Sequence, residues 1–260
     1  MVRELRVVGP DWMAEDLGGV HDRGFDAPTR PADYWCSGTH YARLHASGVG
    51  VSFSTPRGCL PLIGRAGREV RVLSVADLLK DMPGRTVFAK PNDLKLMSTF
   101  PAGLYEPARL AGRLGTVLAS RLRDPAGLMV AISDPVVFEV EVRCFLLDGR
   151  VVLAHPYTDP IGGFGWGMPP LGPAETDEVV YAAERFAAGF DSPRAYVLDL
   201  GWSDGRWVPI ETNPASSSGW YADNPPTNLA DVIRAGQHDE AHHTWADPLE
   251  HLRVVALPAA

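Results

Sequence analysis

The sequence predicts an α+β protein in which antiparallel hairpins are covered by separate amphipathic helices. Three observations carry this. Val136–Leu147 alternates polar and apolar residues over the length of a long strand, and Asp148-Gly149 turns it into a β-rich return, Val151–Tyr157. Tyr196–Trp202 and Arg206–Thr212 flank Ser203-Asp204-Gly205, a second turn of the Asp-Gly kind. Glu106–Asp124 and Thr176–Phe190 repeat apolar residues at three- and four-residue steps, as helices that cover a sheet do.

In chain order, Leu5–Val8 reads as a first strand and Tyr34–Ser47 as a short helix. Val70–Leu73 reads as a strand, with Ser74 capping a helix through Lys80. Pro- and Gly-rich patches at Gly24–Pro31 and Ser54–Gly67 are loops, so residues 1–84 form a small α/β region with no catalytic constellation. Thr86–Ala89 is a strand that ends at Lys90-Pro91, and Lys95 lies in the loop beyond it. Gly127–Ser133 is a buried strand, broken by Ser133-Asp134-Pro135, a hinge-like linker. Ile161–Gly172 is Gly-rich but lacks the strand-then-helix context of a phosphate loop; it is either a lid, with Phe164 or Trp166 shielding a site, or a plain connection. The second long helix is expected to start at Thr176 or Asp177, and Pro226–Ala235 is a short helix.

Composition narrows the function. With 260 residues, 45% hydrophobic and 22% charged, the chain is an ordinary globular protein. It has no apolar run of membrane-spanning length and no basic-then-apolar start, so the expectation is a cytoplasmic protein without a membrane partner. A net charge of -8 argues against nucleic acid, whose backbone needs a positive surface. Cys36, Cys59 and Cys144 lack metal spacing and fit reduced thiols. Of 24 basic residues only Lys80, Lys90 and Lys95 are lysine, so a lysine in a structured motif suggests work that arginine's planar fork cannot do.

The chemistry-bearing residues concentrate in the two hairpins. Asp199 lies on one strand, and Glu211 and Asn213, two apart, share a face of the next. Two carboxylates and an amide oxygen suit a hard cation such as Mg²⁺; read alone they are equally the solvent-face residues of an ordinary hairpin. Register separates the two readings. A two-residue turn places Asp199 opposite Ile210, whereas a three-residue turn with a Gly bulge places it opposite Glu211. Glu139, Glu141 and Arg143 alternate on one face of the long strand, either as an exposed ladder or as a polar cleft wall whose arginine fork meets a phosphate. His238 and His242 stand four apart, but Asp239 occupies the place where a zinc-protease helix has glutamate, so a polar tail is the preferred reading.

Three segments, VFAKPNDLK (87–95), ISDPVVFEVEVRCFLLDGRVV (132–152) and AYVLDLGWSDGRWVPIETNPASSSGWY (195–221), occur in an order that resembles the ATP-grasp fold. They are similar in particular to the small clade marked by one arginine and two lysines. The resemblance implies a domain over 85–260 with two α+β lobes, about 85–132 and 133–260, holding ATP between them after a short N-terminal α/β region. Carried across residue by residue, it assigns Lys90 and Lys95 to phosphates, Lys95 and Arg143 to catalysis, and Ile132, Ser133, Asp134 and Val136 to the adenine border through backbone groups. Glu141 would contact the ribose or a basic partner. Asp199, Glu211 and Asn213 would hold Mg²⁺, and Ser216, Ser217, Ser218, Trp220 and Tyr221 would border the acceptor. The first lobe is short for the family, and Val142 stands where the clade has an aromatic residue. The implied activity is ATP- and Mg²⁺-dependent ligation of a small-molecule or peptide carboxylate to an amine through an acylphosphate. A kinase of the same fold, or a nucleotide-binding protein without turnover, is the alternative.

Overall fold

Both Asp-Gly connections are tight hairpin turns in the computed structural model, which describes residues 3–23, 31–47, 58–92, 99–120, 122–158 and 165–238. Asp148 and Gly149 have φ of 49° and 76°, Asp204 and Gly205 of 53° and 73°: paired positive values that match the twist of a two-residue turn. They join β8 (Val140–Leu147) to β9 (Arg150–Thr158) and β10 (Ala195–Ser203) to β11 (Arg206–Asn213). The four strands make an antiparallel sheet of order β11-β10-β8-β9.

One face of this sheet is covered by α5 (Pro173–Ala187), whose Val179, Ala183 and Ala187 pack on Val142, Cys144, Leu146, Leu198 and Leu200. On the other face α6 (Leu229–Ala235) packs Leu229, Val232 and Ile233 on Phe145, Ala195 and Val197. The same core takes in Leu5 and Val7 of β1 (Leu5–Val7) and Met13, Ala14 and Leu17 in and just after α1 (Asp11–Asp16). With β2 (Val20–His21) and β3 (Asp33–Trp35), β1 forms a parallel sheet of order β2-β1-β3, followed by α2 (Gly38–Ala46). Gln237, just past α6, accepts a 2.7 Å hydrogen bond from the Tyr34 amide and ties that sheet to the core. Tyr34–Ser47 is therefore not one helix. Aromatic Tyr34 and Trp35 extend into the sheet, and Ser37 Oγ accepts the His40 amide at the start of α2.

The described residues separate into two compact units, with breaks at 56/57 and 137/138: residues up to 47 together with 138–238, and residues 58–137. The second unit holds β4 (Val70–Ser74), α3 (Val75–Lys80), β5 (Val87–Pro91), β6 (Gly103–Tyr105), α4 (Pro107–Leu118) and β7 (Met129–Ser133), with sheet order β4-β7-β5-β6. The boundary expected at 84/85 falls inside this sheet, because β4 pairs along its length with β7. Leu78, Leu110, Leu114 and Val117 of α3 and α4 pack on Val87, Ala89, Val130 and Ile132. Ser74 caps α3 as expected, accepting the Asp77 amide at 3.0 Å.

Several boundaries move for local reasons. The 106–124 helix ends at Leu118, since Asp124 precedes a proline and its Oδ1 accepts the Gly127 amide in a turn. The helix expected from Thr176 starts at Pro173, with Pro in the first turn and Glu175 reaching back to the Gly172 amide at 2.9 Å. Residues 136–139 precede β8, and Val137 is 86% exposed.

Candidate functional site

Strand register builds the site. Arg143 on β8 is paired with Asp199 on β10, and Asp199 with Glu211 on β11, so three charged residues form one row across the sheet. His155 continues the row onto β9. Asn213 pairs with Val197, one step along the same face. Asp199 thus faces Glu211 as the metal reading requires, but by another route than the expected three-residue turn. The Asp204-Gly205 turn is the two-residue kind, and the register shifts later, between Asp199 and Leu200, leaving Ile210 as the extra residue.

A second bulge completes the site. The register also shifts between Glu141, paired with Thr158, and Val142, paired with Pro156, which makes Tyr157 the extra residue of a bulge. Tyr157 lies under the Arg143 guanidinium, 5.1 Å from ring centroid to Cζ, and stacks on Tyr221 at 5.5 Å. Tyr221 lies 5.2 Å from the same guanidinium. Its φ of 61° is uncommon for a bulky residue and holds the ring there at a cost of about 1–3 kcal/mol.

Arg143 and Asp199 are both buried and meet as a fork, Nε to Oδ1 at 2.8 Å and Nη2 to Oδ2 at 2.7 Å. Asn213 Nδ2 donates to Asp199 Oδ2 at 3.1 Å. The remaining Arg143 nitrogen, Nη1, makes only long contacts, 3.4 Å to the Gly219 carbonyl and 3.5 Å to the Tyr221 hydroxyl. Burial works against the Arg143 charge, and the Asp199 carboxylate outweighs it, so the guanidinium is held charged. Burial pushes the Glu141 carboxyl up; the Tyr157 hydroxyl opposes this, Asp199 adds to it and Arg143 opposes it. Burial likewise raises Tyr157, which stays protonated.

Among the described residues no three His, Cys, Asp or Glu side chains gather as metal ligands. The oxygen donors on this face are instead two carboxylates and an amide, Asp199, Glu211 and Asn213, a hard set that suits Mg²⁺. A carboxylate offers about four lone-pair sites, and the arginine fork and Asn213 take three of those of the fully buried Asp199, which leaves one for a cation.

The other expected residues lie as follows. Val87 and Ala89 face the helices of their sheet, so Lys90 and Phe88 face the opposite side, beside Leu104, which is 54% exposed. Lys95 lies outside the described residues. Ile132 turns its side chain into the helix-side core, Ser133 Oγ donates to the Asp134 carbonyl, and Asp134 pairs with Arg85 at 2.6 Å. Ile132, Ser133 and Asp134 line a cavity of about 360 Å³ with Glu69, Arg71 and Arg85. Val136 is half-buried, as is Ser217. Ser216, Ser218 and Trp220 are buried rather than open to a ligand, and Tyr221 is half-buried. His238 pairs with Asp33 at 2.8 Å, and His242 lies outside the described residues. The sequence did not point to Tyr157, Trp12 or Trp35. Trp35 Nε1 donates to the Ser218 carbonyl at 3.0 Å and so holds the loop that follows Asn213.

A family described as an ATP-grasp domain, the third family of its clade, matches residues 65–254. Among solved structures the chain is similar to a D-alanine–D-alanine ligase from Bacillus anthracis, at 14% identity over 91% of this chain and 97% of that one, with a TM-score of 0.53. A structure of that ligase complexed with ATP matches at 14% identity over the same shares, with a TM-score of 0.51. D-cycloserine synthetase DcsG matches at 14% identity over 94% and 99%, with a TM-score of 0.52. At such identity the likeness is one of fold. No curated protein sequence matches the chain.

Proposed function

The chain belongs to this ATP-grasp domain family, and from that premise we propose that it is an ATP- and Mg²⁺-dependent ligase that joins a carboxylate to an amine. The observation that carries this reading is the row Arg143–Asp199–Glu211, with Asn213 beside it, on one face of three neighbouring strands. It combines a fixed cation with hard oxygen donors, as phosphoryl transfer needs.

A carboxylate is a poor electrophile. In the proposed reaction one of its oxygens attacks the γ-phosphorus of ATP, the bond to ADP breaks, and an acylphosphate forms. The amine nitrogen then adds to the acyl carbon, the C–O bond to phosphate breaks, and the amine loses a proton, leaving an amide, ADP and phosphate. Arg143 has two nitrogens committed to Asp199, so Nη1 is the donor left to meet a substrate or phosphate oxygen. Tyr157 and Tyr221 hold the guanidinium plane in place for it. Lys90 and Lys95 are assigned to the phosphates, the backbone of Ile132, Ser133, Asp134 and Val136 to adenine, and Glu141 to the ribose or a basic partner. Asp199, Glu211 and Asn213 would hold Mg²⁺, which when bound neutralises phosphate oxygen charge.

The test is turnover with Mg²⁺, ATP and a panel of amino acids and short peptides whose carboxyl group carries ¹⁸O. The reading predicts ADP, an amide product and ¹⁸O in the released phosphate. A stable phosphoryl product would make the protein a kinase, and nucleotide binding without ADP under any acceptor would make it a sensor or binding module.

A further inference from the structure

An aromatic track leads away from Arg143. Its guanidinium lies 5.2 Å from the Tyr221 ring, Tyr221 lies 5.4 Å from Trp166, and Trp166 meets Trp12 edge to face at 4.7 Å and 89°. Trp220, fully buried, backs both tryptophans at 5.5 and 6.1 Å. Trp12 and Trp166 are nevertheless 39% and 41% exposed, so the track ends in an open corner of two indoles.

That corner has an acidic edge. Trp12 lies on α1, where Glu15 and Asp16 are its neighbours three and four residues on. Asp16 accepts the Trp220 indole N–H at 3.3 Å, which fixes its carboxylate at the cluster. Both acids fall in the last helical turn, where the helix dipole disfavours negative charge, and that turn has no basic residue. Among the described residues no cation pairs with either carboxylate. An apolar ligand tail would leave this charge uncompensated, whereas a cation would meet both the exposed indoles and the carboxylates.

We propose that Trp12 and Trp166, edged by Glu15 and Asp16, form the subsite that selects a cationic substrate. An ammonium or guanidinium group separate from the reacting atoms rests on the indole corner while the reacting end lies at Arg143. The substrate class is a basic amino acid, or a peptide bearing one, rather than a small neutral amino acid. The identity of the bound molecule as a ligase substrate rests on the reading above; the preference for positive charge does not.

The experiment is a tryptophan-fluorescence titration of the full chain with L-argininamide and with L-citrullinamide, a near-isostere whose side chain is uncharged. Argininamide is expected to bind at least tenfold more tightly. Trp166→Leu and Glu15→Gln are each expected to weaken it about 3- to 30-fold and to leave citrullinamide unchanged. Trp166 sits outside any helix or strand, so this variant keeps the test valid if Trp12→Leu fails to fold. Stabilisation by Mg-ATP, measured in parallel, should persist in Trp166→Leu, which separates failure of the subsite from failure of the nucleotide reading. Equal affinity for the two amides, no saturable argininamide binding at millimolar concentration, or unchanged affinity in Trp166→Leu would overturn the proposal.

Discussion

The two faces of the β11-β10-β8-β9 sheet are made by alternate residues of the same strands, yet one is apolar toward its helix and the other carries a charged row beside its apolar packing. Toward α5, Val142, Leu146, Leu198 and Leu200 form, with Cys144, an apolar layer in which each buried valine or leucine contributes about 1.5–3 kcal/mol. On the other face, one residue along, Arg143 and Asp199 are as deeply buried, but as an ion pair. Desolvating two charges roughly offsets their attraction, so the pair adds little net stability, while removing one partner strands the other. The α5 face is held by apolar packing alone; on the other face Phe145, Ala195 and Val197 pack on α6, and that packing carries the charged row beside it.

The largest effects test that contrast. Arg143→Ala or Asp199→Ala should each lose about 3–5 kcal/mol of unfolding free energy, whereas the double replacement Arg143→Met with Asp199→Leu should recover most of it and still have no activity. Leu198→Ala, on the other face, should lose about 2–5 kcal/mol, and no partner change should recover it. Urea midpoints at unchanged slope would measure all four. A double variant as unstable as the singles would show that packing, not stranded charge, governs both faces.

A smaller effect is expected at the end of the polar face. Gly201 pairs with Glu141, and a Cβ there would run into the Phe138 ring. Gly201→Ala should cost about 1–3 kcal/mol through overpacking, and Phe138→Leu in the same chain should relieve part of that cost. If Gly201→Ala is neutral, Phe138 does not press on this face in solution.

The smallest effect is a slope. Burial raises the Glu141 carboxyl, so the folded state holds that proton where the unfolded chain has lost it. Stability should therefore fall as pH rises from the ordinary carboxylate range through the raised value, and Glu141→Gln should flatten this fall in urea midpoints taken against pH. A steeper fall in the variant would contradict the assigned direction.

Much of this contrast was legible in the sequence. Alternation marked Val142, Cys144 and Leu146 as one face and Glu141 and Arg143 as the other, and the Asp-Gly turns located both hairpins. The opposition of Asp199 to Glu211 could be stated as one of two registers, but its cause could not. A bulge at Ile210 depends on pairing, which no local propensity reports. The bulge that turns Tyr157 under Arg143 was hidden for the same reason. Trp12 and Trp35 come from the parallel β2-β1-β3 sheet and its helix α1, far from the hairpins in sequence, and nothing local links them to the 213–221 loop. The 84/85 boundary was misplaced because β4 pairs with β7 across more than fifty residues, a contact invisible to periodicity.

The central claim, a nucleotide and metal centre built on the charged row, is tested most directly by thermal melting with and without Mg-ATP in the native chain and in Glu211→Gln. Glu211→Gln keeps the side chain's shape and spares the Arg143–Asp199 pair. At a hundredfold excess over the dissociation constant, binding adds about 2.7 kcal/mol, so Mg-ATP should raise the native melting temperature by about 5–10 °C. In Glu211→Gln, or with EDTA in place of Mg²⁺, the rise should fall by more than half. No rise in the native chain, or an equal rise in Glu211→Gln, would contradict the account.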